Sequence, residues 1–213
     1  SAERFLREIR FAAQLTHPHI MPLFDSGEVS GVTPPLLYYV MPYLEGETLR
    51  ERLERERRLP IDQVLRISRA LAGALDHAHR HGVTHGELRP ECLVFTNDHV
   101  RISRAPLFPP GSALPSAYRA PEQLRGELPT PSCDQFALGV LLYEALIGTH
   151  PFTAEMEEFI LAQQLQGAPL SPRVFRPRLS VELEQFMLRL LGRDPDERFA
   201  TVEDILKAID ELL

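Results

Sequence analysis

The stretch His85-Gly86-Glu87-Leu88-Arg89-Pro90-Glu91-Cys92 decides how this chain is read. It is a polar run punctuated by Gly86 and Pro90, set between two short apolar, strand-like flanks, Val83-Thr84-His85 and Leu93-Val94-Phe95, that pin it as a loop. A carboxylate (Glu87), a guanidinium (Arg89) and a thiol (Cys92) fall within six residues of one another. Upstream, Val64, Ile67, Leu71, Leu75 and Ala78 recur at helical spacing and predict a long helix over Ile61 to His81, ended by Gly82 as the residue after its cap. Downstream, Leu93 to Phe95 and Val100 to Ser103 read as a hairpin around Asn97-Asp98, followed by a Pro-rich, patternless segment from 104 to 118.

Farther out, Phe5, Ile9, Ala12, Ala13 and Leu15 predict a helix from residue 2 to about 15, stopped at His17-Pro18. Apolar runs near Ile20 to Asp25 and Leu36 to Met41 read as paired strands, and Glu47 to Arg57 as a short charged helix whose arginines, Arg50 to Arg58, form a solvated face. Helices near 132 to 147, 154 to 166, 180 to 191 and 201 to 212 are separated by Gly and Pro, and Thr201 with Asp204 marks a helix start.

A chain of 213 residues that is 44% hydrophobic can bury a core as one large domain or two small ones. A formal charge of -7 argues against nucleic-acid and anionic-membrane partners. Cys92 and Cys133 supply no disulfide framework, so a reducing, cytoplasmic setting is expected, and no apolar run reaches membrane-spanning length. The first residue is Ser1, which fits a piece of something longer. Lys207 is the only lysine and lies in the last helical pattern, far in sequence from the loop.

In order and in motif the chain resembles the bacterial serine/threonine protein kinases, from the αC helix of that family to the end of its large lobe. His85 through Cys92 stands where kinases read His-Arg-Asp-Leu-x-x-x-Asn. Ala120-Pro121-Glu122 matches the close of the activation segment, Asp134 through Gly139 matches a buried Asp-x-x-x-x-Gly helix, and Arg198 follows Asp194-Pro195. The resemblance implies an α+β, protein-kinase-like fold: a truncated small lobe over 1–44, with an αC-like helix, two strands and a hinge, and a mainly helical large lobe over 45–213. It implies an ion pair between Glu122 and Arg198, hydrogen bonds from the loop backbone to Asp134, a structural role for His85, and an αC glutamate at Glu8.

The departures gather at the chemistry. Glu87 takes the place of the catalytic Asp and Arg89 that of the loop lysine, while Cys92 replaces an amide and Arg104-Ala105-Pro106 replaces Asp-Phe-Gly at the two metal-holding positions. Mg²⁺ takes oxygen ligands in a near-octahedral array, which neither a guanidinium nor a thiol supplies. Gly86 replaces the arginine that would receive an activation-segment phosphate at Ser112 or Ser116, and Pro115 stands where a threonine would orient the catalytic carboxylate. A Gly-rich phosphate cover and its lysine are absent from these residues.

The resemblance also gives a nucleotide site: Met41 as gatekeeper, the main chain of Pro42 and Leu44 at the adenine edge, and Val94 as the floor. Arg89 with Arg104 would permit ATP to bind without Mg²⁺. His77 and His81 lie one helical turn apart, a spacing that can ligate a metal, but no third ligand is evident and no metal is expected. The leading functional expectation is a non-catalytic, pseudokinase-like module that binds a protein, either an active kinase or another domain of its parent chain. The alternatives are an ATP-dependent serine/threonine kinase that uses Glu87 and obtains the missing strands from upstream, and a functionless fragment with an exposed strand edge.

Overall fold

The structure, a computed structural model, describes residues 15–29, 36–97, 99–103, 116–152 and 157–213. Glu8, the helix expected over 2 to 15 apart from Leu15, the 30–35 turn, Arg104, Ser112 and Pro115 lie outside the described residues. Two antiparallel sheets are present: β1 (Asp25–Val29) with β2 (Leu36–Val40), and β3 (Glu47–Thr48) with β4 (Leu93–Thr96) and β5 (His99–Ile102). Seven helices are described: α1 (Leu49–Glu56), α2 (Ile61–Arg80), α3 (Pro121–Leu124), α4 (Pro131–Ile147), α5 (Glu157–Gln166), α6 (Val181–Leu190) and α7 (Val202–Leu212).

The centre of the molecule is α4. It is apolar on every side, so it can only be a helix surrounded by protein, and residues from Cys133 to Tyr143 are buried without a break. Gly148 ends it in the left-handed conformation at φ 88°, donating its N–H to the Glu144 carbonyl at 2.7 Å. Against α4 packs the inner face of α2, where Val64, Ile67, Leu71, Leu75 and Ala78 are buried as their spacing predicts. α6 packs on α4, and α7 lies along α2 through Val202, Ile205 and Ile209.

Local chemistry sets the boundaries. Thr48 starts α1 with a complete capping box, its Oγ1 accepting from Glu51 N–H at 3.2 Å while Glu51 Oε2 accepts from Thr48 N–H at 2.7 Å. Thr201 and Asp204 close the same box at α7, each bond 3.2 Å. Gly82 follows α2 at φ 71°.

Two expectations are corrected. The first strand begins at Asp25, not Ile20, because Ile20 and Met21 are committed to β5: Met21 N–H donates to the Ile102 carbonyl and Ile102 N–H to the His19 carbonyl, both at 2.8 Å. Pro22 lacks an N–H, and the hairpin starts where Asp25 meets Val40. The arginine-rich helix is not uniformly solvated, since Arg50 turns inward and is half-buried.

Gly139 shows how tightly α4 is wrapped. A Cβ there would lie 2.8 Å from Leu190 Cβ and 3.1 Å from Leu191 Cδ2. Gly139→Ala is therefore expected to destabilise the protein by about 1–3 kcal/mol through overpacking, read as a lower urea midpoint with unchanged slope.

Candidate functional site

The loop from His85 to Cys92 is suspended from a single buried carboxylate. Asp134, 1% exposed in the first turn of α4, accepts from His85 N–H through Oδ2 at 2.9 Å and from Gly86 N–H through Oδ1 at 2.7 Å. Its Oδ2 also accepts from His79 Nε2 of α2 at 2.7 Å. Three donors on one carboxylate satisfy its buried oxygens and fix the loop's direction. Gly86 then turns at φ 76°, in the left-handed region that strains L side chains.

From the other side, Gln123 Nε2 donates to the Gly86 carbonyl at 2.8 Å, and Gln123 Oε1 accepts from Ala120 N–H at 2.9 Å. The loop is thereby tied to α3, and α3 is anchored by an ion pair. Arg198 Nη1 and Nη2 reach Glu122 Oε1 and Oε2 at 2.6 and 2.8 Å, with both residues 2% exposed. Arg198 also donates to the carbonyls of Ser132 and Gly192. Burial opposes the Glu122 anion, but the Arg198 hydrogen bonds, joined by a backbone amide and the Cys133 thiol, outweigh it and hold the carboxyl below its ordinary range.

The positions of the chemistry look different. Glu87 is exposed on the loop, and its Oε1 pairs with Arg119 Nη2 at 3.4 Å. Arg89 is 3% exposed, its Nε 3.9 Å from Glu91 Oε2, and it bonds the Cys92 sulfur. Cys92 is buried, lies 3.7 Å from the Glu87 carbonyl as a donor, and burial pushes its thiol up to about 11. His85 Nε2 lies 3.2 Å from the Ser103 carbonyl, which fixes the ring between the loop and the end of β5.

Met41, Pro42 and Leu44 are half-buried in the segment linking β2 to β3, and Val94 is buried on β4, where it pairs with Thr48 of β3. That segment leads into β3, the strand paired with β4. Arg104 lies outside the described residues. Among the described residues, no three His, Cys, Asp or Glu side chains converge where a metal ion can be held, His77 and His81 included.

A second polar network escaped the sequence reading. Arg50 Nε pairs with Glu91 at 2.9 Å, Nη1 with Glu144 at 2.9 Å and Nη2 with Tyr118 Oη at 2.5 Å, while Tyr118 Oη donates to Glu144 at 2.5 Å. Burial opposes the Arg50 charge, but Tyr118, Glu144 and Glu91 outweigh it and raise its pKa. This network joins α1, the loop, the Tyr118 turn and α4. Glu144, a charge inside an apolar helix, was the sequence signal that such a partner must exist.

The protein kinase domain family model matches residues 1–208. The chain belongs to the protein kinase family. It is 31% identical to a probable serine/threonine-protein kinase of Streptomyces coelicolor, over 99% of this chain and 33% of that protein. It is 32% identical to serine/threonine-protein kinase PrkC of Bacillus subtilis, over 95% of this chain and 32% of that protein. The crystal structure of the Mycobacterium tuberculosis PknI kinase domain aligns with a TM-score of 0.79 at 31% identity, covering 99% of this chain and 79% of the other. This kinase-family chain spans about a third of the length of the curated relatives it matches.

Breaking the Glu122–Arg198 pair from one side leaves a buried, uncompensated guanidinium, so Glu122→Gln is expected to cost about 3–5 kcal/mol. Because the folded carboxyl is depressed, its contribution is present above the unfolded value of about 4.5 and is lost as pH falls through the folded one. Urea titrations from neutral to acid pH should show a stability loss below about pH 4.5 in the wild type that is reduced in Glu122→Gln.

Proposed function

We propose that this protein-kinase domain is a non-catalytic module that works by binding a protein partner, and that it transfers no phosphate at a measurable rate. The observation that carries the reading is the contrast between the loop's intact suspension and its reactive positions. The carboxylate, the ion pair and the glutamine that hold the loop are all engaged, whereas the place of a metal-holding amide is taken by a buried thiol with its pKa near 11.

Mg²⁺ does not fit this donor set. A hard dication takes oxygen, and a protonated, desolvated sulfur offers neither the charge nor the lone-pair character of an amide carbonyl. The sequence places Arg104 at the other metal-holding position, adding a cation where an anion is needed. Glu87 retains a carboxylate, but one extra methylene displaces its oxygens, and a shift of about 1 Å costs on the order of 100-fold in rate. Its pairing with Arg119 further occupies the oxygen that would receive a hydroxyl proton.

Any ATP that binds is held by the base site formed by Met41, Pro42, Leu44 and Val94 and by arginine charge at Arg89 and Arg104, with no contribution from Mg²⁺. The partner is an active kinase or a domain of the parent chain. No helix among the described residues is long and apolar enough to cross a membrane.

Two measurements on the longest soluble form of the parent protein test this. Calorimetric titration with ATP in EDTA and in Mg²⁺ should give the same affinity, or no heat in either buffer; tighter binding in Mg²⁺ contradicts the reading. Incubation with γ-labelled ATP should leave the protein and a basic carrier protein unlabelled. Mg²⁺-dependent labelling that disappears in Glu87→Ala would instead establish a working kinase with an unusual base.

A further inference from the structure

Five of the eight histidines of this protein lie in one unbroken row. Passing from ring to ring, His81 is 4.5 Å from His77, His77 is 5.3 Å from His17, His17 is 5.8 Å from His19, and His19 stacks on His99 at 4.5 Å. The row crosses three elements. His77 belongs to the last turn of α2 and His81 caps that helix, His17 and His19 belong to the 15–20 segment that leads into β1, and His99 to β5.

The rings also join these elements by hydrogen bonds, each from one ring N–H. His19 Nδ1–H donates to the Val100 carbonyl at 2.7 Å and His99 Nε2–H to the Pro18 carbonyl at 3.1 Å, so both clamp the 15–20 segment to β5. His81 Nδ1–H donates to the His77 carbonyl at 2.7 Å. His17 is placed differently. Its Nδ1 accepts from His19 N–H at 3.2 Å and must therefore carry a lone pair, while Nε2 faces Gly73 of α2. A proton arriving at Nδ1 removes that acceptor and charges the ring.

The surroundings give such a charge nothing to pair with. On α2 the nearby carboxylate is Asp76, which is committed to Arg80 at 2.9 Å. On β5, Arg101 lies two residues from His99 and therefore on the same face of the strand. In the 15–20 segment the only titratable groups are His17 and His19 themselves. Among the described residues no carboxylate is bonded to any of the five rings; the one histidine with such a partner is His79, on the other side of the helix with Asp134.

We propose that this histidine row is a pH-sensitive clasp: uncharged, it holds the 15–20 segment against α2 and β5, and on acidification its mutual repulsion releases that segment together with the β1–β2 hairpin it leads into. A proton on His17 is opposed by its ring neighbours His77 and His19, so release depends on the row and not on one residue. The direction follows from His17. Burial, then His77 and then His19, lower its pKa from the ordinary 6.5, so the stability it contributes is present above that value and lost as pH falls below it. The hinge segment that follows β2 carries Met41, Pro42 and Leu44, so loosening the hairpin also loosens the candidate base site.

Hydrogen exchange read at individual amides tests the clasp, with the Met21 and Ile102 amides that bridge the segment to β5 as reporters and the buried α4 amide of Leu141 as internal reference. After correction for intrinsic exchange, lowering the pH from about 7.5 to 5.5 should reduce protection of the reporters by about tenfold relative to the reference. In the double variant His17→Asn, His77→Gln, which keeps an acceptor at 17 and removes both charges, the ratio should change by less than about twofold. A constant ratio in the wild type, or the same loss in the variant, overturns the clasp. Histidine proton–carbon NMR on the wild type gives a readout that does not depend on the variant folding. Coupled titration steps within the row, with His17 below its ordinary value, support the proposal; five independent titrations at the ordinary value overturn it.

Discussion

One carboxylate organises the middle of this molecule. Asp134 sits in the first turn of a helix surrounded by protein on all sides, and an unpaired anion there would cost several kcal/mol. Its oxygens are satisfied by the backbone of His85 and Gly86 and by the ring of His79, so the demand of a buried charge is what gives the loop its position. The left-handed turn at Gly86 and the bond from Gln123 follow from that placement. A second buried pair, Glu122 with Arg198, fixes α3 against the far end of the chain and so supports Gln123 from behind.

The supports of the loop and the side chains it presents differ in kind. The interactions that hold the loop are buried, charge-assisted and mutually dependent. The groups presented at the reactive positions are an exposed glutamate paired with Arg119, a buried arginine beside a carboxylate, and a neutral thiol. A loop held this firmly has no need of a metal or a nucleotide to define its shape. The Arg50 network reinforces the point, since it joins α1, the loop, the Tyr118 turn and α4 through protein atoms alone.

Much of this was legible in the residues. The periodicity of Val64, Ile67, Leu71, Leu75 and Ala78 marks α2, the Gly and Pro punctuation around 132 to 147 marks α4, and Thr201 with Asp204 marks the start of α7. Glu122, Asp134 and Arg198 were picked out through ordered motif matches, and the structure brings Glu122 together with Arg198 and Asp134 together with the loop. What stayed hidden depends on distance along the chain. His79 is 55 residues from Asp134, and Arg50 is 94 from Glu144, so no local pattern announces either partnership. Arg50 looked like part of a solvated face because its immediate neighbours are charged; only the packing of α1 on the loop turns it inward. The apolar run at Ile20 reads as a hairpin strand but pairs with β5 instead, because such a run satisfies either partner.

Asp134 sets the direction of the loop independently of any metal–nucleotide complex, and amide exchange at His85 and Gly86 tests this most directly. Both amides should exchange as slowly as the buried core of α4, and adding ATP with Mg²⁺ should leave their rates unchanged. Fast exchange in the free protein, or a gain of protection on adding Mg²⁺ with ATP, would contradict it.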